Sequence, residues 1–175
     1  NGTNFSYMYA TNRKLQTIPP LNTANGTNFA SMFSTCISIQ TVPLLDTAAG
    51  TNFSQMFSSC YNLRTVPQLN TANGTNFTNM FSYCSSILTI PLLDTANGTS
   101  FSGMFRDTNL QSIPLLNTVK GTSFSSMFQN CKSLENIPLL NTAAGTTFGN
   151  MFTGCASLQT GATSGPKRAM SYTSC

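Results

Sequence analysis

The composition of this chain excludes several classes of protein before any motif is considered. Of its 175 residues only 12 are charged, eight Lys or Arg and four Asp or Glu, and none is His, whereas about 25% of an average domain is charged. Acid–base enzymes and His-ligated metal sites are therefore disfavoured, and no apolar run approaches the roughly 18 residues of a membrane helix. The eight scattered cations do not form the basic cluster of a nucleic-acid-binding surface.

A fixed spacing of glycine divides the chain into repeats. Seven Gly residues recur at intervals of 24, 24, 24, 24, 23 and 24 residues; they are Gly2, Gly26, Gly50, Gly74, Gly98, Gly121 and Gly145. We number repeat positions 1 to 24 from the residue before each of these glycines. All thirteen Phe lie at positions 5 and 9, and seven of the eight Met lie at position 8. Apolar residues placed by a period predict a tandem array of stacked coils.

The residue pattern within each repeat predicts a short helix followed by a short strand. Positions 5, 8, 9 and 12, as in Phe29, Met32, Phe33 and Cys36, have the i, i+3, i+4, i+7 spacing of one helix face. Positions 15 to 18 contain β-branched residues and precede a Pro that cannot donate to a ladder, which predicts strands of three or four residues. These strands are expected at 15–18, 39–42, 63–66, 87–90, 110–113 and 134–137. The predicted fold class is α/β, a solenoid of 24-residue coils with a parallel sheet of short strands and short helices on the other side.

The repeat motif supports a family resemblance. Met-Phe-x-x-Cys recurs in five copies, ending at Cys36, Cys60, Cys84, Cys131 and Cys155. Together with the Ser-Leu-x-x-Ile-Pro that follows, it resembles the BspA-like leucine-rich repeats of bacterial surface proteins, over residues 1 to about 160. The resemblance implies a leucine-rich-repeat solenoid on an exported protein, commonly one used in adhesion or recognition. The first copy departs from it with Asn12 in place of Cys, and the fifth is one residue short and has no Cys.

Two regions are expected along the chain. Residues 1–160 form the array of about seven coils, and residues 161–175 follow no repeat position, which predicts a C-terminal cap or the start of a following module. Asn1 is in phase with the repeat, so we expect the chain to be part of a longer protein. The segment 170–175 resembles the start of modules in phage tail proteins, which keeps a virion origin open.

The cysteines are predicted to be buried free thiols, with no metal and no cofactor. Five of the six lie at position 12, and none has a second Cys two to four residues away, as a zinc site would require. Asn or Asp at position 22 favours Asx turns over calcium sites, because the carboxylates stand two coils apart. Seven Asn-x-Ser/Thr sequons are possible glycosylation sites; they are Asn1, Asn4, Asn25, Asn52, Asn73, Asn76 and Asn97.

The candidate binding residues are the varied side chains of positions 16, 13 and 11. A row of amides and hydroxyls with occasional Tyr and Arg suits glycan hydroxyls, although a solvated surface with no ligand has the same composition. The candidate residues are Arg13, Gln16, Gln40, Tyr61, Arg64, Tyr83, Gln111, Lys132 and Glu135.

These observations predict a non-enzymatic extracellular protein of a cell surface or virion. Its rigid solenoid surface is expected to adhere to or recognise a host or neighbouring surface, protein or glycan. The alternative is a structural spacer or fibre segment of a cell-surface appendage or phage tail fibre, with self-association and no ligand on its sheet face. No nucleic acid and no membrane span are expected in this segment.

Overall fold

The repeats form the successive coils of one stack, numbered here one to seven. The computed structural model of the chain describes residues 2–159 and 163–164. Aromatic rings at position 5 stack on one another from Phe5 to Phe148, and those at position 9 stack from Tyr9 to Phe152. Consecutive ring centroids lie 5.5–5.9 Å apart, and their planes are within 16° of parallel. The prediction that the period gathers the Phe side chains in one core is confirmed.

The core repeats the same set of side chains in each coil. In coil four, Phe77, Met80, Phe81, Cys84 and Ile87 are all fully buried. Position 21 adds a Leu in coils one to six, and position 23 adds a buried Thr. In coils two to five the hydroxyl of this Thr donates to a backbone carbonyl of the next coil, as Thr71 does to Asp94 at 2.8 Å. Because every coil buries the same types of side chain, each core residue packs against its counterparts above and below.

The predicted helix is wrong: two consecutive β-turns take its place. In coil two the N–H of Met32 donates to the Phe29 carbonyl at 3.2 Å, and the N–H of Cys36 donates to the Phe33 carbonyl at 3.0 Å. The third residue of each turn, Ser31 (φ 56°) and Thr35 (φ 62°), is left-handed, as in a type II turn. A left-handed residue cannot continue a right-handed helix, and none of the described residues is helical.

Four other backbone donors of each turn pair in coils one to six join neighbouring coils. In coil two the N–H groups of Phe29, Ser31, Phe33 and Thr35 donate to carbonyls of coil three at 2.7–2.9 Å. The N–H of Thr51 donates in the opposite direction, to the carbonyl of Thr27 at 2.9 Å. The ordered parallel pairing therefore lies at position 4, where bridges run from Asn4 through to Thr147, rather than at positions 15 to 18.

The predicted parallel sheet of four-residue strands is also wrong. Within the described residues only one bridge, Ser112 to Asn136, falls in the six spans where strands were expected. The strands that form have two residues each: β1, Leu140–Asn141, pairs in parallel with β2, Thr163–Ser164. A turn hydrogen bond closes at the first residue of five of the six expected spans, as from the N–H of Leu63 to the carbonyl of Cys60, and Pro follows every span, so few residues remain to build a ladder.

The fold class is therefore corrected from an α/β solenoid of helices and sheet to a stack of turn-rich coils. Its described part holds no helix and only two short strands. Coil five lacks one residue, yet its rings Phe101 and Phe105 continue both stacks at 5.6 and 5.7 Å from the rings of coil six. The expected cap or following module at 161–175 lies outside the described residues, apart from the backbone of β2.

Candidate binding surfaces

The varied residues of position 16 form an exposed row along the stack, which we call the polar row. It consists of Gln16, Gln40, Arg64, Gln111 and Glu135, all exposed, with Leu88 in coil four. The N–H of Arg64 donates to the Gln40 carbonyl at 2.9 Å, and the N–H of Glu135 donates to the Gln111 carbonyl at 3.1 Å. These bonds place successive row residues on adjacent coils.

Position 13 lies three residues before the polar row in the 24-residue coils, and its candidate residues are also exposed. It supplies Arg13, Tyr61 and Lys132. Hydrogen bonds from the next coil hold its backbone: Ser38 Oγ donates to the Arg13 carbonyl at 2.6 Å, and Ser85 Oγ donates to the Tyr61 carbonyl at 3.3 Å. Eight of the nine candidate binding residues therefore lie on the surface, at repeat positions 13 and 16.

Tyr83, the ninth candidate, belongs to a different cluster. Its half-buried ring carries the guanidinium of Arg106 at 5.4 Å from the centroid. Arg106 Nε also donates to Asp107 Oδ2 at 3.0 Å, and Asn130 Nδ2 donates to Asp107 Oδ1 at 2.9 Å. The ring of Tyr83 thus packs against Arg106 of the next coil. We therefore do not group Tyr83 with the polar row.

The predicted glycosylation sites differ in the exposure and in the hydrogen bonding of their side-chain amides. Asn4, Asn25 and Asn73 are exposed, Asn52, Asn76 and Asn97 are half-buried, and Asn1 lies outside the described residues. The side-chain nitrogen that would carry a glycan donates within the stack at Asn73, to the Ala48 carbonyl, and at Asn97, to the Ala72 carbonyl, both at 2.8 Å. At these two sites a glycan would compete with an inter-coil hydrogen bond.

A groove on the stack was not anticipated by the sequence analysis. It has a volume of about 1070 Å³ and is lined by residues of repeat positions 20 to 24 from coils one to five. Four exposed side chains of position 20 follow its length, and we call them the leucine rail: Leu44 (73% exposed), Leu92 (60%), Leu115 (63%) and Leu139 (56%). The first three line the groove itself.

The leucine rail results from the alternation of side chains in extended backbone. Positions 20 and 21 are often Leu-Leu, and successive side chains of an extended segment point to opposite sides. Leu93 is accordingly buried at 2% exposed while Leu92 is open to solvent. The sequence held a signal for this: position 21 is Leu in all six complete copies, whereas position 20 also accepts Pro20 and Gln68.

Comparison with known proteins places the chain in a family. A family model described as "Mycoplasma protein of unknown function, DUF285" matches residues 1–89 and 51–164, which together span the coil stack. The chain belongs to this family. No curated protein matches the chain, and no solved structure matches it. The array is thus a DUF285 tandem-repeat protein with a polar row and an apolar groove.

The cysteines of this DUF285 chain are part of its core. Cys36, Cys60, Cys84, Cys131 and Cys155 are free thiols, and all but Cys155 are fully buried. Each thiol donates to the position-9 carbonyl of an adjoining coil, as Cys84 does to Phe57 at 3.1 Å. In coil five Thr108 replaces the Cys and donates to the Phe105 carbonyl at 2.8 Å. In coils two to seven, position 12 therefore holds a small side chain that donates to a backbone carbonyl, whereas Asn12 of coil one is exposed.

Burial raises the pKa of four of these thiols, those of Cys36, Cys60, Cys84 and Cys131, and so disfavours the thiolate form. It raises the pKa of Cys84 to about 12 and that of Cys131 to about 11, and it raises the pKa of Cys60 further. Within the described residues no group of three potential metal ligands occurs, and no helix has the length and apolar character to cross a membrane. The surface features of the stack are therefore its polar row, its hydroxyl-rich turns and its groove.

We expect iodoacetamide at pH 8 to leave Cys60, Cys84 and Cys131 unmodified in the native protein and to modify them in guanidinium. The reason is that only the thiolate reacts, and a thiol with a pKa near 11 or 12 holds at most about one part in a thousand of it at pH 8. Peptide mass spectrometry identifies the labelled residues. Rapid labelling of Cys84 in the native protein would contradict this expectation and would show that the coils around Cys84 separate readily.

Proposed function

We propose that this chain is a non-enzymatic extracellular repeat protein that adheres to or recognises a host surface, protein or glycan through its polar row and the exposed position-13 residues Arg13, Tyr61 and Lys132 beside it. The observation that carries the proposal is the polar row itself, whose side chains vary in chemistry while the backbone beneath them is held coil to coil. The resemblance of the repeat to BspA-like surface proteins supports an exported protein of a cell surface or virion. The chain also has no His, and its carboxylates Asp46, Asp94, Asp107 and Glu135 belong to four different coils.

The chemistry of the polar row favours many weak contacts. A surface of amides with one or two charged side chains gives little electrostatic steering of an approaching ligand. Individual contacts with a glycan are therefore expected to have dissociation constants on the order of millimolar. A rigid stack repeats such contacts at a fixed spacing, so clustered copies gain affinity through effective concentration. Adhesion would therefore depend on display of many copies.

We expect clustered protein to bind glycans or host cells and the Arg64→Ala and Tyr61→Ala variants to lose most of that binding. Both side chains are exposed, so their removal should leave the fold intact. Lys120→Ala is the matched control, because it removes an equal charge from an exposed residue outside the polar row. Glycan arrays and cell-binding assays with beads that carry the protein measure the effect. Binding that survives both substitutions would place the site elsewhere.

The second candidate function is a structural spacer or fibre segment of a cell-surface appendage or phage tail. The two aromatic stacks support it, because they continue through the shortened coil five without a break. A rod whose coils are joined by hydrogen bonds and stacked rings resists bending and can hold other domains apart. Absence of binding in every clustered format would favour this function over adhesion.

A further inference from the structure

One charged pair interrupts the otherwise neutral turns of the stack. Repeat positions 6, 7, 10 and 11 are the central residues of the two β-turns, and we call their outer surface the turn face. Its side chains are hydroxyls, amides and small residues apart from Tyr7 and Tyr83, and its only charged residues are Arg106 and Asp107. These two also form the one ion pair of the residues that the structure describes. A ligand of the turn face would therefore meet its charge in coil five.

Contacts from three coils fix the guanidinium of Arg106. Its Nε donates to Asp107 Oδ2 at 3.0 Å, and its Cζ lies 5.4 Å from the centroid of the Tyr83 ring in coil four. Asp107 is held in turn, because its Oδ1 accepts the Nδ2 of Asn130 in coil six at 2.9 Å. The guanidinium is thus oriented before any ligand arrives, so that less conformational freedom is lost on binding.

The other two nitrogens of this guanidinium remain available to a ligand. Within the described residues no hydrogen bond uses Nη1 or Nη2 of Arg106, and neither is among the buried polar atoms that lack a partner. The Arg106 side chain is 37% exposed, so these nitrogens reach solvent. They form the end of the guanidinium fork, which binds a planar carboxylate through two parallel hydrogen bonds.

A glycine lets an amide lie beside the guanidinium. A Cβ at Gly103 would overlap Asn79 Oδ1 and would lie 4.0 Å from the Cβ of Arg106. The half-buried Asn79 side chain therefore reaches coil five at position 7, next to the stem of Arg106. In coil six the repeat position of Arg106 is occupied by Gln129, which is also half-buried. The surroundings of the one cation are therefore neutral amides.

These groups suit a sugar that carries one carboxylate. The carboxylate would take the two Nη nitrogens, and the sugar hydroxyls would exchange hydrogen bonds with the amides. The neighbouring charge of Asp107 disfavours ligands with several negative charges, such as a phosphate or a run of acidic side chains. A peptide would also need apolar contacts, and the exposed large apolar side chain of the turn face, Tyr7, belongs to coil one. An acidic sugar fits the site better than either.

We propose that the turn face binds a carboxylated sugar, such as a uronic acid, at Arg106, with the amide of Asn79 beside it. This site lies at positions 7 to 11, whereas the polar row and its neighbours lie at positions 13 and 16. The chain therefore has a second binding surface, whose ligand class is set by one oriented guanidinium. The site does not depend on what the polar row binds.

Methyl glucuronide tests the proposal, with methyl glucoside as the neutral control. In proton–nitrogen correlation spectra of the wild type, the signals of Arg106 Nε–H and of the Asn79 side-chain amide should shift and saturate with glucuronide. The dissociation constant should be on the order of millimolar. The glucoside has the same ring without the carboxylate and should bind at least about tenfold more weakly, because the charge-assisted hydrogen bonds are lost.

Variants of Arg106 test the geometry, with the Asn79 amide signal as the readout. Arg106→Gln should abolish the response to glucuronide, and it keeps the turn because Gln129 occupies the same repeat position in coil six. Arg106→Lys keeps the charge without the planar fork and should raise the dissociation constant about tenfold. Lys120→Gln is the matched control, since it removes an equal charge from an exposed residue outside the turn face, and it should bind glucuronide as the wild type does.

The proposal would be overturned by equal binding of glucuronide and glucoside, or by shifts in the wild type that do not saturate. Glucuronide binding that survives in Arg106→Gln would also overturn it, and would leave the charged pair a structural role only. An exposed ion pair contributes little to stability, so the thermal midpoint of Arg106→Gln should stay close to that of the wild type. Arg64→Ala should keep glucuronide binding whether or not it adheres to a host surface, so this proposal and the proposed function fail separately.

Discussion

Phe77→Ala should lower the free energy of unfolding by about 3–5 kcal/mol. The Phe77 ring is fully buried and stacks between Phe53 at 5.8 Å and Phe101 at 5.7 Å. Its removal leaves a cavity that two neighbouring coils share, and both ring contacts are lost. Denaturation with guanidinium, read by circular dichroism, measures the change.

Gln40→Ala is the control for this experiment. Gln40 is exposed in the polar row, and its backbone carbonyl, which accepts the N–H of Arg64, is unaffected by the substitution. The change should be within about 0.5 kcal/mol. Equal effects of the two substitutions would mean that the assignment of core and surface is reversed.

Gly74→Ala should destabilise the stack by about 3 kcal/mol, the upper end of the usual cost of overpacking. A Cβ at Gly74 would lie 2.5 Å from Phe77 Cζ and 2.9 Å from the carbonyl oxygen of Thr71. The backbone cannot retreat from these atoms, because the N–H of Gly74 donates to that same carbonyl at 2.8 Å. The midpoint of thermal unfolding measures the loss.

Gly149→Ala provides the matched comparison, because nothing lies within 4 Å of a Cβ built at Gly149. It should leave stability nearly unchanged. The same close approach to a position-5 ring occurs at Gly26, Gly50 and Gly98. The glycine that marks the period of the sequence is therefore explained by the edge of a Phe ring. A Gly74→Ala variant as stable as Gly149→Ala would contradict this explanation.

The helix prediction failed because one apolar spacing is compatible with two backbone structures. Two successive four-residue turns return Phe29, Met32, Phe33 and Cys36 to the core just as a helix face would. Positions 7 and 11, whose residues are left-handed, carried a signal against the helix, because several copies have Gly or Asn there. The five residues concerned all adopt positive φ: Asn79, Gly103, Asn130, Asn150 and Gly154. Gly and Asn tolerate the left-handed region better than other residues.

The exposure of the polar row could be predicted from the sequence, whereas the leucine rail was missed. Variation at position 16 beside constant core positions indicated exposure, and Gln16, Gln40, Arg64, Gln111 and Glu135 are indeed exposed. The contact of Tyr83 with Arg106 could not be predicted in this way, because Arg106 comes from the next coil, 23 residues away. The leucine rail depends on which member of each Leu-Leu pair turns inward, and apolarity alone does not distinguish the two.

The sequence by itself determined the period, the identity of the core residues and the stacking of copies, because a repeated apolar pattern can be buried only against its own neighbours. The tertiary structure decided which acceptors the backbone N–H groups of each coil bond to. The N–H groups of positions 5, 7, 9 and 11 find acceptors one coil away rather than four residues back. That choice is non-local: hydrogen bonds between coils offset the cost of two left-handed residues in every repeat, and the apolar spacing within one repeat does not reveal it.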